Sequence, residues 1–467
     1  MKPNYTLNKG LWKHQALGVV LARERGHVFN MDMGTGKTLT TLGVAKEIGA
    51  CRILNLCPKV ALDVWPREIA KHVDGPMIGI SMVGNRPLAR RTKDAFQEIR
   101  RCEIHDRPYI LSVNYEAFYR EPLFKMLFEI PWDIIVCDES RKIKAPSGVQ
   151  SKNVYALENL LGSRKRPLPL ALDGTFLAHS MLDAFGQMRF VAPQVFGMSY
   201  FMFEKRYAIK GGFEQKQVVG FQNVEEFQEK LRPWVYTVKS DEVQELPPVE
   251  DIPIVFDLDG PTAKLYEQMD KEFCADVQGG LVTAKNAMVK VLRLQQITGG
   301  FLPGESESVQ VGTDKLAALE ELLDGIPPHE PVVIFTRFTA DLHACVRLLE
   351  NKRGHTAMVG DGHHESERFM SGEAKNVVLN IKAGGMSIDL TRARYVIYYS
   401  IDPSLSAYMQ SRKRSHRPGQ ERPVVNYHLV ARSTVDQKIY RALARREEVI
   451  ESVVEGIRRG GNDELEI

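Results

Sequence analysis

Apolar and polar positions switch repeatedly between two periods along this chain. Residues 11–23 and 38–48 carry the spacing of a half-buried helix, whereas 28–30, 52–57, 109–113, 134–137 and 168–172 are short, almost wholly apolar runs. Runs that are apolar on both faces and separated by helical stretches predict parallel strands covered by helices on each side. The alternation returns after residue 330, with strands at 332–335, 356–359, 377–381, 395–399 and 424–430, a helix at 340–349 and a closing helix at 435–454. Two doubly wound α/β lobes in tandem are expected.

Between the lobes the pattern changes. Residues 181–231 gather Phe185, Phe190, Phe196, Tyr200, Phe201, Phe203, Phe221 and Phe227 among helix formers. This reads as a small helical subdomain with an aromatic core, the alternative being rings that stack on bases beside Lys205 and Arg206. Leu246-Pro247-Pro248-Val249 stops any helix, an edge strand is expected at 253–258, and 262–298 is helical. The predicted organisation is lobe 1 at 1–180, a helical and aromatic insertion at 181–245, a linker at 246–256, a helical insertion at 257–310, lobe 2 at 311–457 and a frayed tail at 458–467.

Composition narrows the class. The 467 residues are 43% hydrophobic and 26% charged, the balance of a soluble protein with two to four domains. Six cysteines without a C-x-x-C pair read as free thiols in a reducing, cytoplasmic setting, and no run is long and apolar enough for a membrane. A net charge of +3 is too mild to name a partner, although basic residues cluster at 86–107, at 163–166 and at Arg412, Lys413, Arg414 and Arg417.

The chemistry lies in two stretches of the first lobe. Met31-Asp32-Met33-Gly34-Thr35-Gly36-Lys37-Thr38 is a Gly-rich turn before a helix, able to aim backbone N–H groups and the Lys37 ammonium at phosphates. The strict phosphate-loop pattern has a further Gly where this chain has Met31. About a hundred residues on, a buried run ends at Asp138-Glu139: Asp138 with the Thr38 hydroxyl suits Mg2+, and Glu139 can polarise a water. Together they predict hydrolysis of a nucleoside triphosphate. In the second lobe a helix over 406–417 would put Arg414 and Arg417 on one face, as a pair of always-charged forks for a transferring phosphoryl. That lobe has no phosphate loop of its own, which points to a single composite site in the inter-lobe cleft.

The ordered set resembles the superfamily 2 motors, and within them the SNF2 (Swi2/Snf2, Rad54-like) DNA translocases, in a compact build like that of phage and bacterial members. Leu11-Trp12-Lys13-His14-Gln15 is similar to the Q motif, Met33 to Thr38 to motif I, Cys57-Pro58-Lys59 with Trp65 and Glu68 to motif Ia, and Asn114-Tyr115-Glu116 to motif Ib. Asp138 to Lys144 resembles motif II, Asp173-Gly174-Thr175 motif III, Val333-Ile334-Phe335-Thr336 motif IV, Ala383-Gly384-Gly385 to Leu390-Thr391 motif V, and Gln410 to Gln420 motif VI. The chain departs from the family's usual residues at Arg141 (His), Phe176 (Pro), Ser387 (Gly), Asp389 (Asn) and Lys413 (Asp or Gly).

The resemblance implies two RecA-like lobes and a Mg2+-dependent, DNA-dependent ATPase that translocates on double-stranded or branched DNA. It implies ATP binding by Gln15, Met33, Gly34, Thr35, Gly36, Lys37, Thr38, Gly385 and Asp389, and catalysis by Lys37, Asp138, Glu139, Arg414 and Arg417. A DNA track along Lys59, Asn114, Tyr115, Thr336 and Lys382 follows, with Asp173, Gly174, Thr175 and Gln410 coupling ATP to movement. A strand-separating helicase on DNA or RNA is the alternative enzyme, and a non-translocating ATP switch the alternative of another class. A monomer is expected, with a protein partner possible on the helical insertion.

Overall fold

A computed structural model describes residues 4–162, 166–211, 217–243, 246–279, 284–304, 308–381 and 388–459. The chain divides into two units, residues 1–244 with 448–467, and residues 245–447.

The first unit is built on a seven-stranded sheet. Its strands run, in spatial order, Val235–Val238, His27–Met31, Leu168–Asp173, Ile134–Asp138, Arg52–Cys57, Tyr109–Asn114 and Ile78–Ser81, every neighbouring pair parallel. The inner strands are buried along nearly their whole length, as strands covered on both faces must be. Phe29, Ile53, Ile110, Ile134, Val136 and Leu172 pack with Trp65 and Leu42 into one core. The sheet order sets the phosphate-loop strand and the Asp138 strand on either side of Leu168–Asp173, so their carboxyl ends share one edge.

The outermost strand, Val235–Val238, comes from the stretch read as a helical insertion. That insertion also holds an antiparallel pair, Ala208–Gly211 with Gln217–Phe221. Its rings do form a core: Phe196 stacks on Phe227 at 5.4 Å, and Phe203 contacts Phe185, Phe196 and Tyr207 at 4.8–5.1 Å between centroids.

In the second unit the order is Val249–Phe256, Val424–Ala431, Tyr395–Tyr398, Val332–Thr336, Asn376–Asn380, Thr356–Gly360 and His363–His364, parallel except for the last pair. The strand Val249–Phe256 corrects the reading of 246–256 as a linker. It alternates half-buried and exposed positions, and at a sheet edge Pro253 removes no needed ladder bond. Helices Gly260–Gly279 and Ala284–Gly299 follow as expected. The closing helix runs Val435–Arg459, so Arg458 is helical rather than frayed and is held by Glu242 and Glu455; residues 460–467 lie outside the described residues. No helix among the described residues is long and apolar enough to cross a membrane. Cys51, Cys57, Cys102, Cys137 and Cys345 are buried and in no disulfide.

Candidate nucleotide site

The phosphate loop begins where His27–Met31 ends. Gly34 and Gly36 take φ of 85° and 90°, a backbone region closed to side chains at little cost, and helix Lys37–Glu47 starts directly after. No acidic residue occupies the helix's first turn, so its positive end is left uncompensated. The loop is braced from behind. Gln15 is buried, accepts from Trp12 N–H at 3.0 Å and donates to the Thr35 carbonyl at 3.1 Å, and His14 Nε2 reaches the same carbonyl at 2.8 Å. A Cβ on Gly36 would sit 2.2 Å from Gln15 Nε2, so the brace and the glycine require each other. The Thr35 hydroxyl donates to the Asp32 carbonyl at 2.8 Å, and the Asp32 carboxylate accepts from Ser240 N and Oγ at 3.2 Å each.

Lys37 reaches back over the loop. Its ammonium donates to the Met31 carbonyl at 2.8 Å and the Asp32 carbonyl at 3.3 Å. Gly174 lies beside it, where a Cβ would be 3.8 Å from Nζ. Met33, Gly34 and Thr38 sit on the loop and first turn, all but Gly34 half-buried.

Asp138 and Glu139 end the Ile134–Asp138 strand. The Asp138 carboxylate accepts from Trp65 Nε1 at 3.1 Å and from Glu139 N at 3.0 Å, one bond to each oxygen. Behind it the Tyr115 hydroxyl donates to the Asp138 carbonyl at 2.9 Å. Burial pushes the Asp138 carboxyl up, partly offset by the Trp65 bond and the Lys37 charge. Each oxygen keeps a lone pair, and with the Thr38 hydroxyl this hard-oxygen set fits Mg2+. Glu139 has φ of 55°, which turns the chain sharply into the helical turn Ser140–Ile143.

Arg141 joins Glu139 to the neighbouring strand. Its guanidinium bonds Glu139 Oε2 and Asp173 Oδ1, the latter at 3.0 Å, while its own N–H donates to Asp173 Oδ2 at 2.8 Å. Thr175 N–H adds a third donor to Asp173 at 2.9 Å. Burial raises the Glu139 carboxyl, and the Arg141 charge opposes it.

In the second unit the sequence-predicted arginine pair is split. The helix is Leu405–Ser415, closed at His416, so Arg414 lies in its last turn and Arg417 beyond it; Pro418 disfavours helical backbone at the residue before it. Arg414 is 3% exposed and burial lowers its pKa; Arg417 is half-buried. The Leu390 N–H donates to the Arg414 carbonyl at 3.1 Å, and Asp389 Oδ1 accepts from Thr391 N and Oγ1 at 2.9 and 2.7 Å. Gln420 ties the two segments together, its amide donating to the carbonyls of Thr391, Ala393 and Ser415 at 3.0–3.3 Å. Gln410 is half-buried on the same helix. Gly385 and Lys382 lie outside the described residues, as does most of the basic run at 163–166.

The residues of the expected DNA track differ in exposure. Lys59 is exposed, but Tyr115 and Thr336 are fully buried, the one bonded to Asp138 and the other donating to the Leu379 carbonyl at 3.3 Å. Asn114 is 8% exposed and bonded to Glu116 at 3.0 Å. Both Tyr115 and Thr336 face the packed interior, where aromatic and β-branched side chains fill the layer beneath a sheet edge. Trp65, Arg141 and Gln420, quoted in the motif resemblance without a role, also stand at the site.

Comparison with known proteins places this geometry. A model of the SNF2-related domain matches residues 13–299, and a model of the helicase conserved C-terminal domain matches 314–419. The chain is 25% identical over 434 residues to the "Putative ATP-dependent helicase/translocase YwqA" of Bacillus subtilis, covering 87% of this chain and 44% of that protein. It is 23% identical to the ISWI chromatin-remodeling complex ATPase CHR17 of Arabidopsis thaliana over 87% of this chain and 38% of that protein. It is 25% identical to the DNA repair and recombination protein RDH54 of Saccharomyces cerevisiae, over 87% of this chain and 49% of that protein. The chain thus spans less than half the length of these relatives. Among solved structures, the Sulfolobus solfataricus SWI2/SNF2 ATPase core in complex with dsDNA aligns over 97% of this chain and 94% of that one, at 23% identity and a TM-score of 0.42. With the first domain model covering more than half of its residues, the chain belongs to the SNF2-related family.

Proposed function

We propose that this protein is a DNA-dependent ATPase that translocates on double-stranded or branched DNA. The observation that carries the reading is the meeting of Lys37, Asp138 and Glu139 at one edge of a parallel sheet, with a glycine-shaped loop and an uncompensated helix start beside them. Loop N–H groups and Lys37 bind the β- and γ-phosphates, and Glu139 orients the attacking water. Bound between Asp138 and Thr38, Mg2+ would neutralise phosphate charge. Motif order supports Arg414 and Arg417 as the groups that stabilise charge on the transferring phosphoryl. DNA contacts are to the backbone, through Lys59 and Lys382, so affinity falls steeply with salt and little with base sequence.

The test compares ATP turnover with no nucleic acid, single-stranded DNA, duplex, forked DNA and RNA, alongside ATP-driven displacement of a triplex strand. Stimulation by duplex or forked DNA with triplex displacement is the expected result. Release of single strands from a duplex would instead establish a helicase. ATP binding and hydrolysis without triplex displacement would establish a switch.

A further inference from the structure

Away from the nucleotide site, the first unit carries a second concave surface, a cavity of about 660 Å³ between the segment after Glu139 and the aromatic insertion. Among the described residues its cations are Lys144, Lys152 and Arg189, and its carboxylate is Asp183. Asp183 is already engaged, accepting from His179 N–H at 2.7 Å and from Lys144 at 3.4 Å. The charges of Lys152 and Arg189 are therefore in surplus. Arg189 is held rigidly, its guanidinium 5.1 Å over the Tyr155 ring and donating to the Met198 carbonyl at 3.3 Å.

That last bond leads from the basic wall to an apolar one. Met198 and Tyr200 line the cavity, and helix Tyr200–Tyr207 follows directly. The helix turns Phe203 and Tyr207 inward onto the ring cluster, each 2% exposed. Phe201 and Met202 point the other way and, with Met198, are 68%, 61% and 62% exposed. Lys205 continues the same outward stripe one turn later. Three large apolar side chains bared in five residues, on a platform already fixed by packed rings, are an arrangement that burial against a partner would stabilise.

We infer that this surface docks an acidic segment of a partner protein, its carboxylates on Lys152 and Arg189 and a large apolar side chain against Met198, Phe201 and Met202. Charge complementarity selects an anionic partner, and the thioether and phenyl stripe selects protein over a phosphate backbone, which offers little apolar surface. The surface uses no residue assigned to nucleotide chemistry, so the inference stands or falls apart from the ATPase reading.

The test uses the full chain and a fluorescein-labelled fifteen-residue peptide of Glu and Asp carrying two Leu and one Phe. Controls are the same peptide with Leu and Phe replaced by Ser, the same with Glu and Asp replaced by Gln and Asn, an oligothymidine and a short duplex. Saturable binding of the parent peptide is expected, weakened by about tenfold or more in either peptide control and in Lys152→Glu or Phe201→Ser. Both variants change exposed side chains, so thermal unfolding and DNA-stimulated ATP turnover should match the unsubstituted protein. Absence of peptide binding at about 1 mM overturns the inference, and so does binding indifferent to both variants. Loss of oligothymidine or duplex binding in Lys152→Glu, with peptide binding unchanged, would reassign the cavity to nucleic acid.

Discussion

Replacing Arg141 with Met tests the link between the water-orienting carboxylate and the strand beside it. The arginine side chain is 16% exposed and stands between Glu139, 30% exposed, and Asp173, 0% exposed. Removing one member of a buried ion pair costs on the order of 3–5 kcal/mol when the other charge is left bare. Asp173 is not left bare, because the N–H groups of residue 141 and Thr175 still bond it at 2.8 and 2.9 Å, and Glu139 can reach water. We therefore expect less than that range, about 2–3 kcal/mol, read as a lower denaturation midpoint at unchanged slope. Activity should fall further than stability explains. Arg141 occupies Glu139 Oε2 and leaves Oε1 for the attacking water, so without it the carboxylate swings, and misplacement by about 1 Å costs roughly a hundredfold. We expect kcat to drop by about ten- to a hundredfold with KM for ATP within about threefold, measured at saturating duplex DNA. Arg141→Lys should recover part of the loss, since an ammonium can meet one carboxylate but lacks the fork that meets two. Asp173→Asn and Arg141→Met combined should cost less than the sum of the two alone. Unchanged or higher kcat in a folded Arg141→Met protein would refute the positioning role.

Lys37→Ala and Glu139→Gln should each abolish turnover without unfolding the protein, Glu139→Gln still binding ATP in a fluorescent-analogue titration. Arg417→Ala should lower turnover by about a hundredfold or more and ATP affinity by less than about tenfold, with Arg414→Ala similar, and Lys at either position should not restore it. The Asp341 carboxyl is pushed up to about 7 by burial, against the Ser400 hydroxyl at 2.6 Å and the Lys315 charge. A raised pKa means the folded state holds the proton longer, so Asp341 should favour folding below pH 4 relative to higher pH and lose that contribution as pH climbs through about 7, while Asp341→Asn shows a flatter midpoint across the same range in urea unfolding.

Much of the fold could be read because its signals are local. Five of the seven strands of the first sheet are apolar runs bounded by Pro, Asp or Gly, and these were legible. The other two, Ile78–Ser81 and Val235–Val238, have four residues each, one carrying Gly79 and one following an unrelated insertion, too short for periodicity to register. The helix expected over 406–417 runs two residues too far: it closes at His416, because Pro418 disfavours helical backbone at the residue before it. Tyr115 was placed on the DNA track by the family resemblance alone, whereas the fold turns its hydroxyl inward to the Asp138 carbonyl. Trp65 meets Asp138 across 73 residues and Gln420 meets Thr391 across 29, contacts that tertiary packing creates and no local pattern encodes.

Arg141 shows what such a contact changes. At the strand ends facing the loop stand three carboxylates, Asp138, Glu139 and Asp173, and two cations, Lys37 and Arg141, while the loop's own Asp32 carboxylate is turned to Ser240. At the position of Arg141 the family pattern has a histidine, which is largely neutral at physiological pH. With a neutral ring there, Lys37 would be the one side-chain cation facing three carboxylates, apart from the Mg2+ that Asp138 and Thr38 would hold. The guanidinium removes one unit of that excess. It bonds both Glu139 and Asp173 and so draws the one carboxylate toward the other. At the proposed site the departure from the family's pattern therefore adds one positive charge, and it couples Glu139 to the Asp173-Gly174-Thr175 turn by an ion pair that a neutral histidine could not make.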